Sequence, residues 1–552
     1  MYTRDDIIRS AAEKWLGTTG NLTPNSTIAD IRSGIYNETY YSIEAYNAVA
    51  GKGGKYRQVN GLTNWQIAYA IAVSQHVRLI QCAGASGSEE LSLLAVYQDD
   101  GPKKGLYDGN GPALRRLIRE FNSEVSKRDI DEVEAILRDM VPQLPRTIDP
   151  DLVPVNNGIF NYKTKQLLPF SPDYVFLAKV GADYNPAAAN KVMTNPDGTT
   201  WDIESWMQGL FDDQAVTSLI WHLIGACVRP YVRWDKTAWF YSTSGNSGKG
   251  TLLTLLKALI GEGNYASIKL AEMDKDFALE ELVRASCILT DENNVGEYID
   301  KSANMKAIAT GDTIQITRKF KMPVTFRFYG MSIQCLNEIP RVRDRSGSLA
   351  RRCLIVKFDR CYTGMERRYI KDQYLVDKDV LEYVLYKVLC MMPDYYALPD
   401  PASCKMMLEQ FTLANSPVLE FMDDMLPELS WDVVPFNFIY ALYRGWMQRN
   451  APSGGILGRN QFISELMDNA ASHPCRWAWK FPDRDTDGKW AKVSVGNGMA
   501  KPERLIAEYN LTEWYNKLYR GNDIDQLCTP AHAPDRCRGI VRMTATNGQM
   551  AS

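Results

Sequence analysis

Apolar residues at Leu252, Leu255, Leu256, Leu259 and Ile260 fall at i, i+3, i+4, i+7 and i+8, one face of a helix that Gly261 stops. Immediately upstream, Thr237 to Ser242 (TAWFYS) is a short apolar and aromatic run, the pattern of a buried strand. Two more such runs follow: Cys287 to Leu289, which ends in Asp291 and Glu292, and FYGMSIQCLN, which ends at Asn337. Between them TGDTIQITRKFKMPVTFRF alternates apolar and polar positions, predicting a β-hairpin whose tip carries Arg318, Lys319 and Lys321. Strand-like and helix-like pieces alternate through about Phe358, the rhythm of an α/β domain.

The flanks read differently. Residues 1–150 hold an aromatic-rich start (IYNETYYSIEAY), an apolar helix around Trp65 to Val73, a strand LSLLAVYQ and basic amphipathic helices over Ala113 to Leu137. The Pro-rich punctuation from Met140 to Pro154 marks a boundary. Residues 151–234 form a turn segment and then helices with Trp206, Leu210, Leu219, Leu223 and Ile224 as apolar positions. Residues 235–365 are the α/β domain, and 366–552 read as helices followed by a hairpin of RWAWKF and WAKVSV around PDRDTDGK. Helices and then a two-stranded wing outline a winged-helix module or, equally, a helical cap.

A chain of 552 residues exceeds one hydrophobic core. Its 45% hydrophobic and 23% charged residues are those of an ordinary globular protein. A net charge of -3 gives no global attraction for nucleic acid, so any positive charge for that purpose must be local. The longest apolar run, Val216 to Val228, is broken by His222 and is shorter than the roughly 20 residues a membrane span needs, so it reads as a core helix. The start MYTRDDIIRS has no apolar signal-peptide core, which leads us to expect a cytoplasmic protein in a host cell. Eleven cysteines without regular spacing point to reduced thiols. Cys528, His532 and Cys537 with His473 and Cys475 match no zinc spacing and read as loose thiols rather than a metal site.

The candidate chemistry begins at TSGNSGKG. A strand, a Gly-containing loop with lysine and a helix make a phosphate loop of Ser244, Gly245, Asn246, Ser247, Gly248, Lys249, Gly250 and Thr251. Backbone N–H groups and the helix N-terminus would cradle the phosphates of ATP, with Lys249 reaching the β- and γ-phosphates. Thr243 stands where the usual pattern has its first glycine, and Gly250 follows the lysine, which leaves Thr251 as the hydroxyl for Mg²⁺. The order GKGT also occurs in nucleoside monophosphate kinases, so the loop alone speaks for nucleotide binding and not for a purpose.

Asp291 is placed to hold Mg²⁺ and Glu292 to polarise a water. Asn337 either contacts a γ-phosphate from the strand between loop and acidic pair or caps a turn into Glu338 and Pro340. From Arg341 to Lys357, six basic residues (Arg341, Arg343, Arg345, Arg351, Arg352, Lys357) stand against the single acid Asp344. Arg351 or Arg352 suits a finger reaching the γ-phosphate of a neighbouring subunit, or a structural ion pair.

With these elements in order, the chain resembles superfamily 3 helicases, specifically the phage, plasmid and poxvirus-type primase-helicases. The matching stretches are GNSGKGTLL, ILTDEN, MKAIATGDTIQITRKFK and LNEIPRVRDRSGSLARRCLIVKF, with NNGIFNYKTKQLLPFSPDYVF, FIYALYRGWMQRN and NQFISELMDN outside the motor. The resemblance implies an AAA+ P-loop ATPase domain flanked by a mixed α/β N-terminal domain, a helical collar and a winged-helix-like C-terminal domain. It implies a hexameric ring moving 3′ to 5′ on single-stranded DNA at a replication fork, with ATP and Mg²⁺ at subunit interfaces, and a separate primase or polymerase as a further partner. Lys249 would be the Walker A lysine, Asp291 and Glu292 the Walker B pair, Asn337 the sensor, Lys319 and Lys321 the channel hairpin, and Arg351 or Arg352 the finger. The short N-terminal region, with DID at Asp129 to Asp131 in a helix, predicts no primase activity. Two competing readings are an ATP-gated DNA-binding initiator or loader that does not unwind, and a small-molecule kinase.

Overall fold

The computed structural model describes residues 2–543 except 24, 52, 83–91, 110, 297, 300, 320, 343–346, 451–454, 474–475 and 487, without the side chains of 298, 321 and 322. Arg343, Asp344, Arg345 and Cys475 therefore lie outside the described residues, as does the Lys321 side chain. The chain divides into two compact units, Met1–Leu408 and Glu409–Ser552. Among the described residues no helix is long and apolar enough to cross a membrane, and no three His, Cys, Asp or Glu side chains gather as a metal site.

The first unit opens with α1 (Arg4–Gly17), α2 (Ile28–Val49) and α3 (Asn64–Ser74), each begun by a threonine capping box at Thr3, Thr27 and Thr63. Strands β1 (Val77–Gln81), β2 (Leu93–Tyr97) and β3 (Tyr107–Asp108) follow, then α4 (Gly111–Phe121), α5 (Lys127–Met140) and β4 (Gln143–Pro145). They form a mixed sheet in the order β3-β2-β1-β4. On α4 the apolar Ala113, Leu114, Leu117, Ile118 and Phe121 are buried, the one-sided face that the sequence predicts. Ser126 caps α5, its hydroxyl accepting from the Asp129 N–H and the Asp129 carboxylate accepting from the Ser126 N–H.

Next come β5 (Leu152–Val155), β6 (Gly158–Asn161) and β7 (Gln166–Leu168), an antiparallel meander, and the small ribbon β8 (Met193–Thr194) with β9 (Thr200–Trp201). Only then do α6 (Ile203–Gln208) and α7 (Gln214–Val228) appear. The region expected as a helical collar is thus half strand. It has no core of its own either: Val153, Phe160, Leu219 and Ile224 share one apolar cluster with the strands and helix that follow.

Those are β10 (Thr237–Tyr241), α8 (Lys249–Ile260), β11 (Tyr265–Ala266), β12 (Cys287–Thr290), β13 (Tyr298–Ile299), α9 (Ala303–Thr310), β14 (Thr313–Arg318), β15 (Lys321–Arg327), β16 (Ser332–Leu336), β17 (Arg341–Val342) and β18 (Cys353–Lys357). Five of them make a parallel sheet ordered β11-β12-β16-β10-β18. Every residue of β12 and β16 is buried, as covering on both faces requires, although Ser332 and Gln334 of β16 are polar. Trp239 and Phe240 are fully buried, as are Leu252, Leu255 and Leu259 of α8. Helix α10 (Lys378–Tyr386) buries Val380, Tyr383 and Val384 in this same core. That packing moves the unit boundary from the expected 365/366 to 408/409, within α11 (Ala402–Asn415).

The second unit contains α12 (Pro417–Met425), β19 (Val433–Pro435), α13 (Phe436–Asn450), α14 (Arg459–Ser472), β20 (Trp479–Lys480), β21 (Val493–Ser494), α15 (Leu505–Glu508), α16 (Ile524–Leu527), β22 (Arg536–Cys537) and β23 (Gly539–Arg542). Phe421, Trp431, Tyr443, Trp446 and Phe462 form its core. The expected wing does not form as a local hairpin. β20 pairs with β23 and β21 with β22, so both halves are captured by the chain's last strands. A single bridge, Arg484 to Trp490, is all that joins them directly among the described residues.

Candidate active site

The parallel sheet brings the candidate chemistry to one rim. β10, β16 and β12 run side by side in the same direction, so Ser242, Asn337 and Asp291 all emerge at the C-terminal ends of their strands. This is where parallel α/β sheets bind ligands. The acidic strand is not beside β10: β16 lies between them, with Asn337 at its tip.

Between β10 and α8 the chain must turn back without side-chain interference. Asn246 (φ 54°) and Gly248 (φ 92°) both occupy the left-handed region. A Cβ on Gly248 would also lie 3.3 Å from Leu210 Cδ2, so this position needs glycine on two counts. Gly248 offers no side-chain cap to α8, leaving the first N–H groups of that helix for a ligand. Lys249 is 8% exposed. Its ammonium donates to Ser242 O at 3.4 Å and to Ser247 Oγ at 3.3 Å, and burial lowers its pKa.

Asp291 Oδ1 lies 3.3 Å from where a Cβ on Gly250 would stand, so the glycine after the lysine makes room for this carboxylate. Lys257 approaches the other oxygen at 3.8 Å. Thr251 is half-buried in the first turn of α8, while Glu292 and Asn337 are exposed. An uncapped helix end, a buried lysine, a hydroxyl and a nearby carboxylate make a donor set that fits a nucleoside triphosphate with Mg²⁺.

Two supports escaped the sequence reading. Asn293 donates to Gln334 Oε1 and Cys335 O, both at 3.1 Å, and accepts from the Leu270 N–H at 2.8 Å, which fixes the chain just after the acidic pair. Its position in the run DENN was the available signal. The other support is the turn at 360–366. Tyr362 N–H donates to Asn246 O at 2.9 Å, and the Asn246 amide donates to Glu366 at 2.9 Å and Thr363 at 3.3 Å. Arg360 and Tyr362 tie this turn to Gly209, and Arg360 also pairs with Asp212. Only the pairing of β18 with β10 brings the turn there, and no local pattern announces that pairing.

Arg351 and Arg352 precede β18, which runs parallel to β10 with Cys353 opposite Thr237. They therefore sit at the opposite rim from the phosphate loop, a strand length of roughly 15 Å away. The Arg351 carbonyl accepts from Lys236, and Arg352 donates to Ser348 O.

The hairpin β14-β15 forms as expected, with Arg318 opposite Lys321. Its first basic residue is not at an open tip, and this corrects the reading of Arg318 as a DNA contact. The Arg318 side chain is 8% exposed and 3.8 Å from Glu280, and burial lowers its pKa. Lys319 is exposed. The hairpin's root is held by the N-terminal sheet: Arg327 N–H donates to Cys82 O, and Arg146 donates to Arg327 O while its guanidinium stands 4.7 Å over Phe326.

Three family models match the chain in sequence. "D5 N terminal like" covers residues 34–212, "Family of unknown function (DUF5906)" covers 240–352 and "Poxvirus D5 protein-like" covers 413–499. Among solved structures, the apo NrS-1 C-terminal region aligns at 13% identity and TM-score 0.41 over 84% of this chain and 96% of that one. A second apo structure of that region, residues 305–718, aligns at 14% identity and TM-score 0.40 over 70% of this chain and 93% of that one. JCV helicase aligns at 15% identity and TM-score 0.25 over 40% of this chain and 62% of that one. D5-type models thus match the chain at residues 34–212 and 413–499, which supports a likeness to the phage and poxvirus-type primase-helicase family.

Proposed function

We propose that the chain is an ATP-driven replicative DNA helicase with a superfamily 3 AAA+ motor, acting as a hexameric ring on single-stranded DNA and hydrolysing ATP between subunits. One observation carries this reading. Lys249, Asp291 and Asn337 converge on one rim of the sheet, while Arg351 and Arg352 lie at the other, beyond reach of their own phosphate loop. A site whose cationic partner sits on the far rim is completed by a neighbouring copy.

In this reading the N–H groups of α8 and Lys249 bind the β- and γ-phosphates. Thr251 and Asp291 would hold Mg²⁺, which when bound neutralises developing phosphate charge. Glu292 orients the attacking water, and Asn337 reports on the γ-phosphate. Arg351 or Arg352 of the adjoining subunit stabilises the transition state, a contribution worth about 10³- to 10⁵-fold for the arginine finger of GTPases. Lys319, with Lys321 two residues on, contacts the phosphates of the translocating strand.

A strand-displacement assay on a forked duplex, with Lys249→Ala as control, tests this directly. ATP-dependent displacement that the variant loses is expected. Hydrolysis without displacement would instead mark an ATP-gated initiator or loader.

A further inference from the structure

The second unit contains a groove of about 380 Å³ lined by Asn437, Tyr440, Ala441, Arg444, Arg459, Glu513 and Trp514, so two arginines stand against one acid. Its construction is specific. Asn437, Tyr440, Ala441 and Arg444 recur at i, i+3, i+4 and i+7 along α13, forming one stripe. The opposite stripe, with Phe438, Ile439, Leu442 and Trp446, is buried in the unit's core. Arg459 is the first residue of α14 and donates through Nε to Asn437 Oδ1 at 2.9 Å, which ties its guanidinium to α13 in the groove. Tyr440 is fixed by its hydroxyl, which donates to Leu457 O at 2.9 Å. Trp514 stands edge-on to Phe438 at 5.1 Å.

Arg449, Arg476, Arg504 and Arg542 are each engaged by a carboxylate, on Glu508, Asp423, Asp525 and Asp432 respectively, while Arg484, Arg536 and Arg538 donate to backbone carbonyls. Among the described residues Arg444 and Arg459 meet no carboxylate within ion-pair range, although Glu513 shares the groove. Two guanidinium groups and two aromatic side chains lining one groove are the chemistry that grips a single strand. Arginines take the phosphodiester oxygens, and the rings stack a base irrespective of its identity.

We propose that this groove is a second single-stranded DNA contact, separate in sequence and in structural unit from the hairpin, that holds about one nucleotide by stacking on Tyr440 or Trp514 and by phosphate contacts to Arg444 and Arg459. It rests on the family's business with DNA but not on the motor, so the test is made without ATP and in the full-length Lys249→Ala chain. Binding of a fluorescein-labelled oligothymidylate is followed by anisotropy across a salt series, with and without Arg444→Ala/Arg459→Ala. Loss of two phosphate contacts should weaken binding at least tenfold at low salt and flatten the log–log salt slope by about 1.4. In parallel, a 5-iododeoxyuridine oligonucleotide should photocrosslink to the peptide bearing Tyr440 or Trp514. Arg444→Lys/Arg459→Lys should keep most of the slope, a result that separates lost charge from a damaged fold. Unchanged affinity and slope with no crosslink in either peptide would overturn the proposal. So would a loss seen with duplex DNA and not with the single strand. A chain inactive in strand displacement can still pass this test, so failure of the helicase reading and failure of the groove are told apart.

Discussion

Lys249 is a cation held almost out of water with only a carbonyl and a hydroxyl for company. Desolvation lowers its pKa, a cost that a bound triphosphate reverses. Lys249→Ala should therefore reduce ATP hydrolysis by about 10²- to 10³-fold without lowering Tm, measured by steady-state phosphate release and thermal unfolding. Glu503 offers an independent check on the second unit. It is fully buried, accepts from the N–H groups of Ser430 and Trp431, and burial raises its pKa. A carboxyl with a raised folded pKa favours folding below the ordinary carboxylate range and loses that contribution as pH climbs through the folded value. The Tm difference between Glu503→Gln and the natural chain should thus move in the variant's favour as pH rises from acid toward neutrality. A pH-independent difference would contradict the assignment.

At the scale of elements, α8 and the hairpin separate what could be read locally from what could not. The spacing of Leu252, Leu255, Leu256 and Leu259 gave the helix and its buried face, because 3.6-residue periodicity is a local property. Leu256→Ala should cost about 2–5 kcal/mol by denaturant unfolding, and Gly248→Ala about 1–2 kcal/mol through its left-handed backbone, along with nucleotide binding. The hairpin's register was equally legible, but the burial of Arg318 against Glu280 was not, since that contact joins residues of different elements. The two neighbours should therefore differ in their effect on DNA binding. Lys319→Ala should flatten the salt dependence of DNA binding by roughly 0.7 of a log unit per log unit of salt. Arg318→Ala should lower Tm and leave that slope alone. The missed wing has a similar origin. RWAWKF and WAKVSV have strand-forming residues, but nothing near them reveals that residues 536–542 compete for both. The turn at 360–366 escaped for the same reason: it is beside the phosphate loop only because β18 chooses β10 as its neighbour.

For the molecule as a whole, the division of chemistry between opposite rims of one sheet has a consequence no single residue carries. If Arg351 or Arg352 completes a neighbour's site, two different inactive chains can repair each other at their shared interfaces. Lys249→Ala supplies an intact arginine, and Arg351→Ala/Arg352→Ala supplies an intact phosphate loop. Each alone should be nearly inert. Mixed in equal amounts and allowed to exchange subunits, random assembly makes one kind of interface in four complete, so ATP hydrolysis should recover to roughly a quarter of the natural rate. Recovery of that size is the result this account predicts. Mixtures as inactive as their components, under conditions where native mass measurement shows the two chains in one assembly, would contradict it.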